Sequence, residues 1–229
     1  MTDAPVSVII PVYNSSELLV QALGSVVGQT CRPKEIIVVD DGSTDEPARA
    51  TKNYSGIVFL RLPRSGAAAA RNEGARRASQ TFLAFLDADD LWPKARTELL
   101  LAPFSQGRNI QISSGCIQQF RAAETGAVEI LGPPVASRLP SASLIRTDDF
   151  HRVGGFSPEW QVGETIEWCA RAMDAGLASA AIPEIVLQRR VHASNLGKTA
   201  QDPGKAYVRM LHAVIARRRN QNTPPKSGP

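Results

Sequence analysis

Four short runs in the first half of the chain, residues 6–10, 35–39, 57–60 and 82–86, are apolar almost without a break. A strand with one wet face alternates, so unbroken runs imply burial on both faces: a parallel sheet covered by helices. The segments between them carry the helical period instead. Leu18, Leu19, Ala22, Leu23 and Val26 recur at helix spacing behind Ser15 and Ser16, two candidate caps. Residues 66–79 form an Ala-rich helical stretch. The first run is expected to stop at Pro11. This pattern predicts a doubly wound α/β core.

The second half is less regular. Residues 110–113 and 185–191 read as strands, 166–175 as a helix and 132–140 as a loop. Asp202-Pro203 opens a last helix, with Asp as cap and Pro at the first helical position. The polar, Pro-containing tail at 220–229 is expected to be disordered. At 229 residues the chain suits one domain, here 1–219. A formal charge of +4 is only mildly basic, and basic residues are not interleaved with aromatics, which argues against a nucleic-acid partner. Cys31, Cys116 and Cys169 are scattered without a CxxC pairing, so neither a disulfide framework nor a zinc site is expected. Neither a signal-peptide pattern nor an apolar run of spanning length is present, and the expected location is cytoplasmic.

Open parallel sheets bind ligands beyond the carboxyl ends of their strands. Three such ends carry polar clusters: Pro11-Val12-Tyr13-Asn14, then Asp40-Asp41-Gly42-Ser43-Thr44-Asp45, then Asp87-Ala88-Asp89-Asp90. Residues of these types also terminate strands and cap helices, but all three clusters would open onto one crevice. Asp87 and Asp89, alternating around Ala88, can converge on a hard divalent cation such as Mg²⁺ or Mn²⁺.

These motifs, in this order, resemble the large family of inverting, nucleotide-sugar-dependent glycosyltransferases with the GT-A fold (family-2-like), over roughly residues 6–195. The helix motif Ala70-Arg71-Asn72-Glu73-Gly74, the metal motif ending in Asp87-Ala88-Asp89-Asp90, and Ser143-Leu144-Ile145-Arg146 with Val153-Gly154-Gly155-Phe156 all contribute. The resemblance implies a mostly parallel sheet flanked by helices. It divides the chain into a nucleotide-binding half (about 5–101), a smaller acceptor-side half (about 102–195) and a C-terminal helix (about 202–219). It further implies a nucleoside diphosphate sugar, UDP-linked first, as donor. Pro11, Tyr13, Asp40, Asp41, Arg71 and Asp87 fall at its donor-binding positions, and Asp87, Asp89 and His192 at its metal and diphosphate positions. A bound cation would bridge the diphosphate and stabilise it as leaving group. Arg64 departs from the family's usual Asn.

An inverting transferase needs a carboxylate to take the acceptor's proton. The family's Asp position holds Thr165, which cannot serve, so Glu164 and Glu167 are the catalytic candidates, Glu164 first. Thr165 also motivates a second reading, a nucleotide-sugar-binding module without turnover. The last helix carries Tyr207, Met210, Leu211, Val214 and Ile215 as one apolar stripe with arginines elsewhere. It is expected to pack on the domain rather than to lie on a membrane surface. The acceptor class has no readable code.

Overall fold

A computed structural model of the chain describes residues 3–106, 109–122, 127–160, 162–192 and 203–222. The first half alternates strands and helices: β1 (Asp3–Val12), α1 (Ser16–Val27), β2 (Arg32–Asp40), α2 (Ala48–Thr51), β3 (Ile57–Arg61), α3 (Ala67–Arg77) and β4 (Phe82–Phe85). The four strands lie parallel in the order β3-β2-β1-β4. Consecutive residues of β1 enter different cores. Val8 and Ile10 join α1's Leu19, Leu23 and Val26, whereas Ile9 joins Ala70 and Ala75 of α3 on the opposite face. That division is the physical meaning of an unbroken apolar run. On the α3 side the approach is so close that a Cβ at Gly74 would overlap Ile9 and sit 3.2 Å from Val39.

β1 does not stop at Pro11 but continues to Val12, level with Asp40. The Ile9 carbonyl accepts from Leu86 N–H. Pro11, two residues on, faces that same side, where β4 has already ended at Phe85. Its missing N–H therefore costs no ladder bond. The start of α1 also differs from expectation. Neither serine caps through its side chain. Instead Asp45, from the loop after β2, accepts the Ser16 N–H at 2.8 Å.

The second half comprises α4 (Arg96–Ser105), β5 (Ile112–Ala122), β6 (Val128–Ala136), a 3₁₀ turn (Pro140–Ala142), β7 (Ser143–Arg146), α5 (Thr147–Val153), α6 (Glu164–Asp174), β8 (Ser179–Arg190) and α7 (Pro203–Asn222). β7 pairs antiparallel with both β4 and β5, and β5 pairs antiparallel with β6 and parallel with β8. The first-half sheet thereby extends to eight strands in all, most of its pairings parallel.

Four expectations are corrected here. Residues 132–140 are largely strand and turn, because Gly132 and Pro133-Pro134 are tolerated in β6, a sheet edge. β5 runs nine residues past its expected end at 113, its polar Gln118 and Gln119 held between β8 and the β6 hairpin. α7 continues through Asn222, while Asp202 and residues 223–229 lie outside the described residues. The apolar stripe of α7 also divides: Met210 and Val214 are buried, whereas Tyr207, Leu211 and Ile215 are exposed. Among the described residues no helix is long and apolar enough to cross a membrane.

Candidate active site

The ends of β1 and β2 are stitched to each other. Ser43 N–H donates to Asp40 Oδ1 (2.8 Å), Asn14 N–H to Ser43 Oγ (3.0 Å) and Thr44 N–H to Asn14 Oδ1 (2.8 Å). Gly42, at φ +77°, lets the turn pass beneath Arg64, whose backbone nitrogen would lie 2.9 Å from any Cβ there. Asp40 is wholly buried. Arg61 Nη1 stands 3.5 Å from its Oδ2, near enough for Coulomb attraction, yet no described residue donates a hydrogen bond to that oxygen. Asp41 is fully engaged. Its carboxylate accepts N–H groups from Ser65 (2.6 Å) and Gly66 (2.9 Å) and pairs with Arg64. Negative charge there also complements the N-terminus of α3. Pro11 is buried within β1, whereas Tyr13 projects into the open with the Arg64 guanidinium 3.4 Å over its ring.

Helix α3 carries this loop system to the end of β4. Arg71, nearly buried on α3, donates to Asp87 Oδ1 (2.6 Å) and Glu164 Oε1 (2.8 Å). Burial alone would lower its pKa, but the two carboxylates outweigh that and hold it above the ordinary value. Beyond Asp87, oxygens of Asp87, Asp89 and Asp90 lie within 4.8 Å of one another. Two oxygens on one Mg²⁺ or Ca²⁺-sized ion, with bonds of about 2.0–2.6 Å, can be separated by no more than about 4–5 Å. The spacing and the all-oxygen chemistry therefore fit a hard cation. Asp89 Oδ2 also meets His192 Nε2 at 2.9 Å. Asp90 is buried and accepts the Arg190 N–H at 2.8 Å. Its desolvation, then the neighbouring Asp87 and Asp89 charges, push its pKa well above the usual carboxylate range. The Leu91–Gln188 bridge and Arg190, which donates to the Asp89 carbonyl (2.9 Å) and to Gln21 (2.8 Å), pin the acidic loop to β8.

The two glutamates of α6 occupy different surroundings. Glu164 opens the helix after Gly163, which holds a left-handed conformation. Its side chain reaches Arg71 on α3. Glu167 is buried, accepting from Arg171 Nε (2.9 Å) and Arg217 Nη1 (2.7 Å). Arg171 in turn grips the carbonyls of Val153, Gly154 and Gly155. Beneath these groups Phe85, Phe150, Phe156 and Trp168 form a ring cluster with neighbouring centroids 5.2–6.1 Å apart. Asn72 Nδ2 donates to the Phe156 carbonyl (2.7 Å) and its Oδ1 accepts the Phe156 N–H (2.8 Å). Asp87 follows Phe85 by two residues and Glu164 precedes Trp168 by four, so both acids adjoin this cluster in the chain, and Arg71 joins them.

Residues 7–129, more than half of the chain, match the sequence profile described as Glycosyl transferase family 2. The chain belongs to that family. Among its relatives, the glycosyltransferase YibD of Escherichia coli is 31% identical over 159 residues, 67% of this chain and 45% of YibD. The Escherichia coli UDP-Glc:alpha-D-GlcNAc-diphosphoundecaprenol beta-1,3-glucosyltransferase WfgD is 35% identical over 105 residues, 44% of this chain and 42% of WfgD. The chain therefore spans less than half the length of these relatives. Its fold matches that of Staphylococcus aureus TarS, crystallised with UDP-GlcNAc. The TM-score is 0.76 at 19% identity, over 94% of this chain and 66% of that one. The GT-A architecture read from the sequence is the architecture of the structure.

Within that family frame, the described structure brings Arg71, Asp87 and Glu164 into direct contact, and Asp89 with His192. Glu167 stands apart in an ion-pair cluster between α6 and α7. Tyr13 and the two aspartates after β2 share one loop system, but only Tyr13 is openly exposed. The sequence reading did not single out Arg190 or Arg217. Arg190 had a signal in its place two residues before His192. Arg217 had none, because its partner Glu167 lies fifty positions away.

Proposed function

We propose that the chain transfers a glycosyl group from a nucleoside diphosphate donor, a UDP-sugar first, to an acceptor nucleophile with inversion at the anomeric carbon. The observation that carries this reading is Arg71, one buried guanidinium joining the carboxylate of the candidate cation site to the candidate base. The TarS complex with UDP-GlcNAc and the UDP-Glc donor in WfgD's name support the donor class. In this reading Tyr13 stacks on the base. Asp40 Oδ2, the buried acceptor without a hydrogen-bond donor, receives the base's ring N–H once the loop yields. Asp41 acts one step back by holding Ser65 and Gly66 in place.

Asp87 and Asp89 would hold a Mn²⁺ or Mg²⁺ ion, with Asp90 and His192 beside them. When bound, such an ion neutralises charge on the leaving diphosphate. The acceptor's O–H, N–H or S–H nucleophile attacks the anomeric carbon opposite the diphosphate. The new bond forms as the carbon–oxygen bond breaks, UDP leaves with that electron pair, and the proton passes to Glu164. Arg71 fixes Glu164 through Oε1, and in this reading the carboxylate's other oxygen takes that proton.

A panel of nucleotide sugars, scored for metal-dependent hydrolysis without acceptor, tests the reading. Release of UDP from at least one donor is expected. UDP binding with no turnover on any donor or acceptor would favour the module without turnover that Thr165 suggests.

A further inference from the structure

Tyr13 carries a planar group on one side of its ring already. The Arg64 guanidinium carbon stands 3.4 Å from the ring centroid, which is the spacing of stacked bases along a nucleic-acid strand, about 3.4 Å. The same guanidinium pairs with Asp41. A group that touches Tyr13 and Asp41 together lies on the side of the ring turned toward the loop after β2. Asp40, the preceding residue of that loop, holds the buried oxygen without a hydrogen-bond donor. A base that met both Tyr13 and Asp40 would therefore enter the space the guanidinium fills. Arg61, the other cation beside the two aspartates, is tied elsewhere, donating to the Ser43 carbonyl at 2.8 Å. The backbone around Arg64 is held in place. Its nitrogen lies against Gly42, and the next two N–H groups, of Ser65 and Gly66, donate to Asp41. The Arg64 side chain, in contrast, is 47% exposed and can change rotamer without moving the loop.

Resting on the donor-site reading above, we propose that Arg64 is an internal competitor for the donor's nucleobase. In the free chain its guanidinium holds the stacking position over Tyr13, and a base takes that position when the side chain swings away. The measured affinity for a nucleotide is then that of the open site, reduced by the fraction of chains in which the site is open. Arg64 thereby sets the concentration range over which the donor site fills. It acts on the base alone, so the same factor applies whatever sugar the diphosphate carries, and a diphosphate without a base escapes it.

The test is calorimetry of the full chain with UDP and with inorganic pyrophosphate, both with Mn²⁺, on wild type and Arg64→Ala. UDP should bind the variant about two- to tenfold more tightly, the scale of losing a half-exposed cation–ring contact and its ion pair. Pyrophosphate, which has no base, should bind both chains alike. A second measurement needs no variant at position 64. In the NMR spectrum of the free chain the Arg64 δ-methylene protons should be shifted by the Tyr13 ring current. Saturating UDP, or the substitution Tyr13→Leu, should remove that shift. Weaker UDP binding by Arg64→Ala would overturn the proposal and make Arg64 a partner of the base. Unchanged UDP affinity, or an Arg64 signal that UDP does not move, would also overturn it and place the base elsewhere on Tyr13. These outcomes leave the donor-site reading standing, because wild type still binds UDP. UDP binding absent from both chains would overturn that reading, and the competitor with it.

Discussion

Strands β1 to β4 keep polar residues at their ends, where short backbone-to-side-chain bonds stitch one loop to the next. In the half built on β5 to β8, order at the site comes from long arginines reaching across elements: Arg171 from α6 to the 153–155 carbonyls, Arg190 from β8 to the acidic loop, Arg217 from α7 to α6. The first arrangement is built from short contacts between neighbouring loops. The second is built from guanidinium groups that bind carbonyls and carboxylates of separate elements. Arg71 is the hinge between the two, touching Asp87 on one side and Glu164 on the other.

The two glutamates of α6 should differ most. Glu164→Gln should keep UDP binding and lose transfer by about 10²–10⁴-fold, the scale of general-base catalysis. Glu167→Gln should lose stability instead, by about 2 kcal/mol in a denaturant titration, because its partly exposed arginine partners screen some of the loss. Reversal of those two phenotypes would move the base to Glu167 and make Glu164 the support.

A packing contrast comes next. Gly74→Ala forces a methyl into Ile9 and should destabilise by about 1–3 kcal/mol. Ile130→Ser, on the exposed β6 edge, should shift stability by no more than about 0.5 kcal/mol. Comparable losses at both sites, read by thermal and chemical unfolding, would erase the packing distinction between the α3 side of the sheet and its β6 edge.

A third contrast is at Tyr13, which is exposed and should contribute to ligand rather than to fold. Tyr13→Ala should weaken UDP binding by about 1–3 kcal/mol, if stacking here matches that at single-stranded sites. Its melting temperature should not change. A lowered melting point with normal UDP binding would make Tyr13 a fold residue.

The same contrast explains what was legible in the sequence. β1, β2 and β4 announce themselves because residues such as Val8, Ile9 and Ile10 are apolar in succession, and their polar clusters follow directly in the chain. The cluster at Asp87 and Asp89 was visible for that reason. β6 was hidden because an edge strand buries little and can carry Gly132 and Pro133-Pro134, the residues that ordinarily signal a loop. The split stripe of α7 was hidden too. Periodicity marks Tyr207, Leu211 and Ile215 as apolar neighbours of Met210 and Val214, but it cannot say how much of a wide face the domain covers. The capping of α1 by Asp45 and the engagement of Asp41 by Ser65 and Gly66 depend on loop geometry that no local pattern encodes.

In the proposed reading the carboxylates after β4 and the loops after β1 and β2 form one site for a metal-bound nucleoside diphosphate. Calorimetry of UDP binding with Mn²⁺ and then with chelator, on wild type and Asp89→Asn, tests it most directly. The expected result is tight binding to wild type with Mn²⁺, at least about tenfold weaker binding on chelation, and an Asp89→Asn variant that is folded yet no longer responds to the metal. Equal UDP affinity with and without the metal in wild type would contradict it.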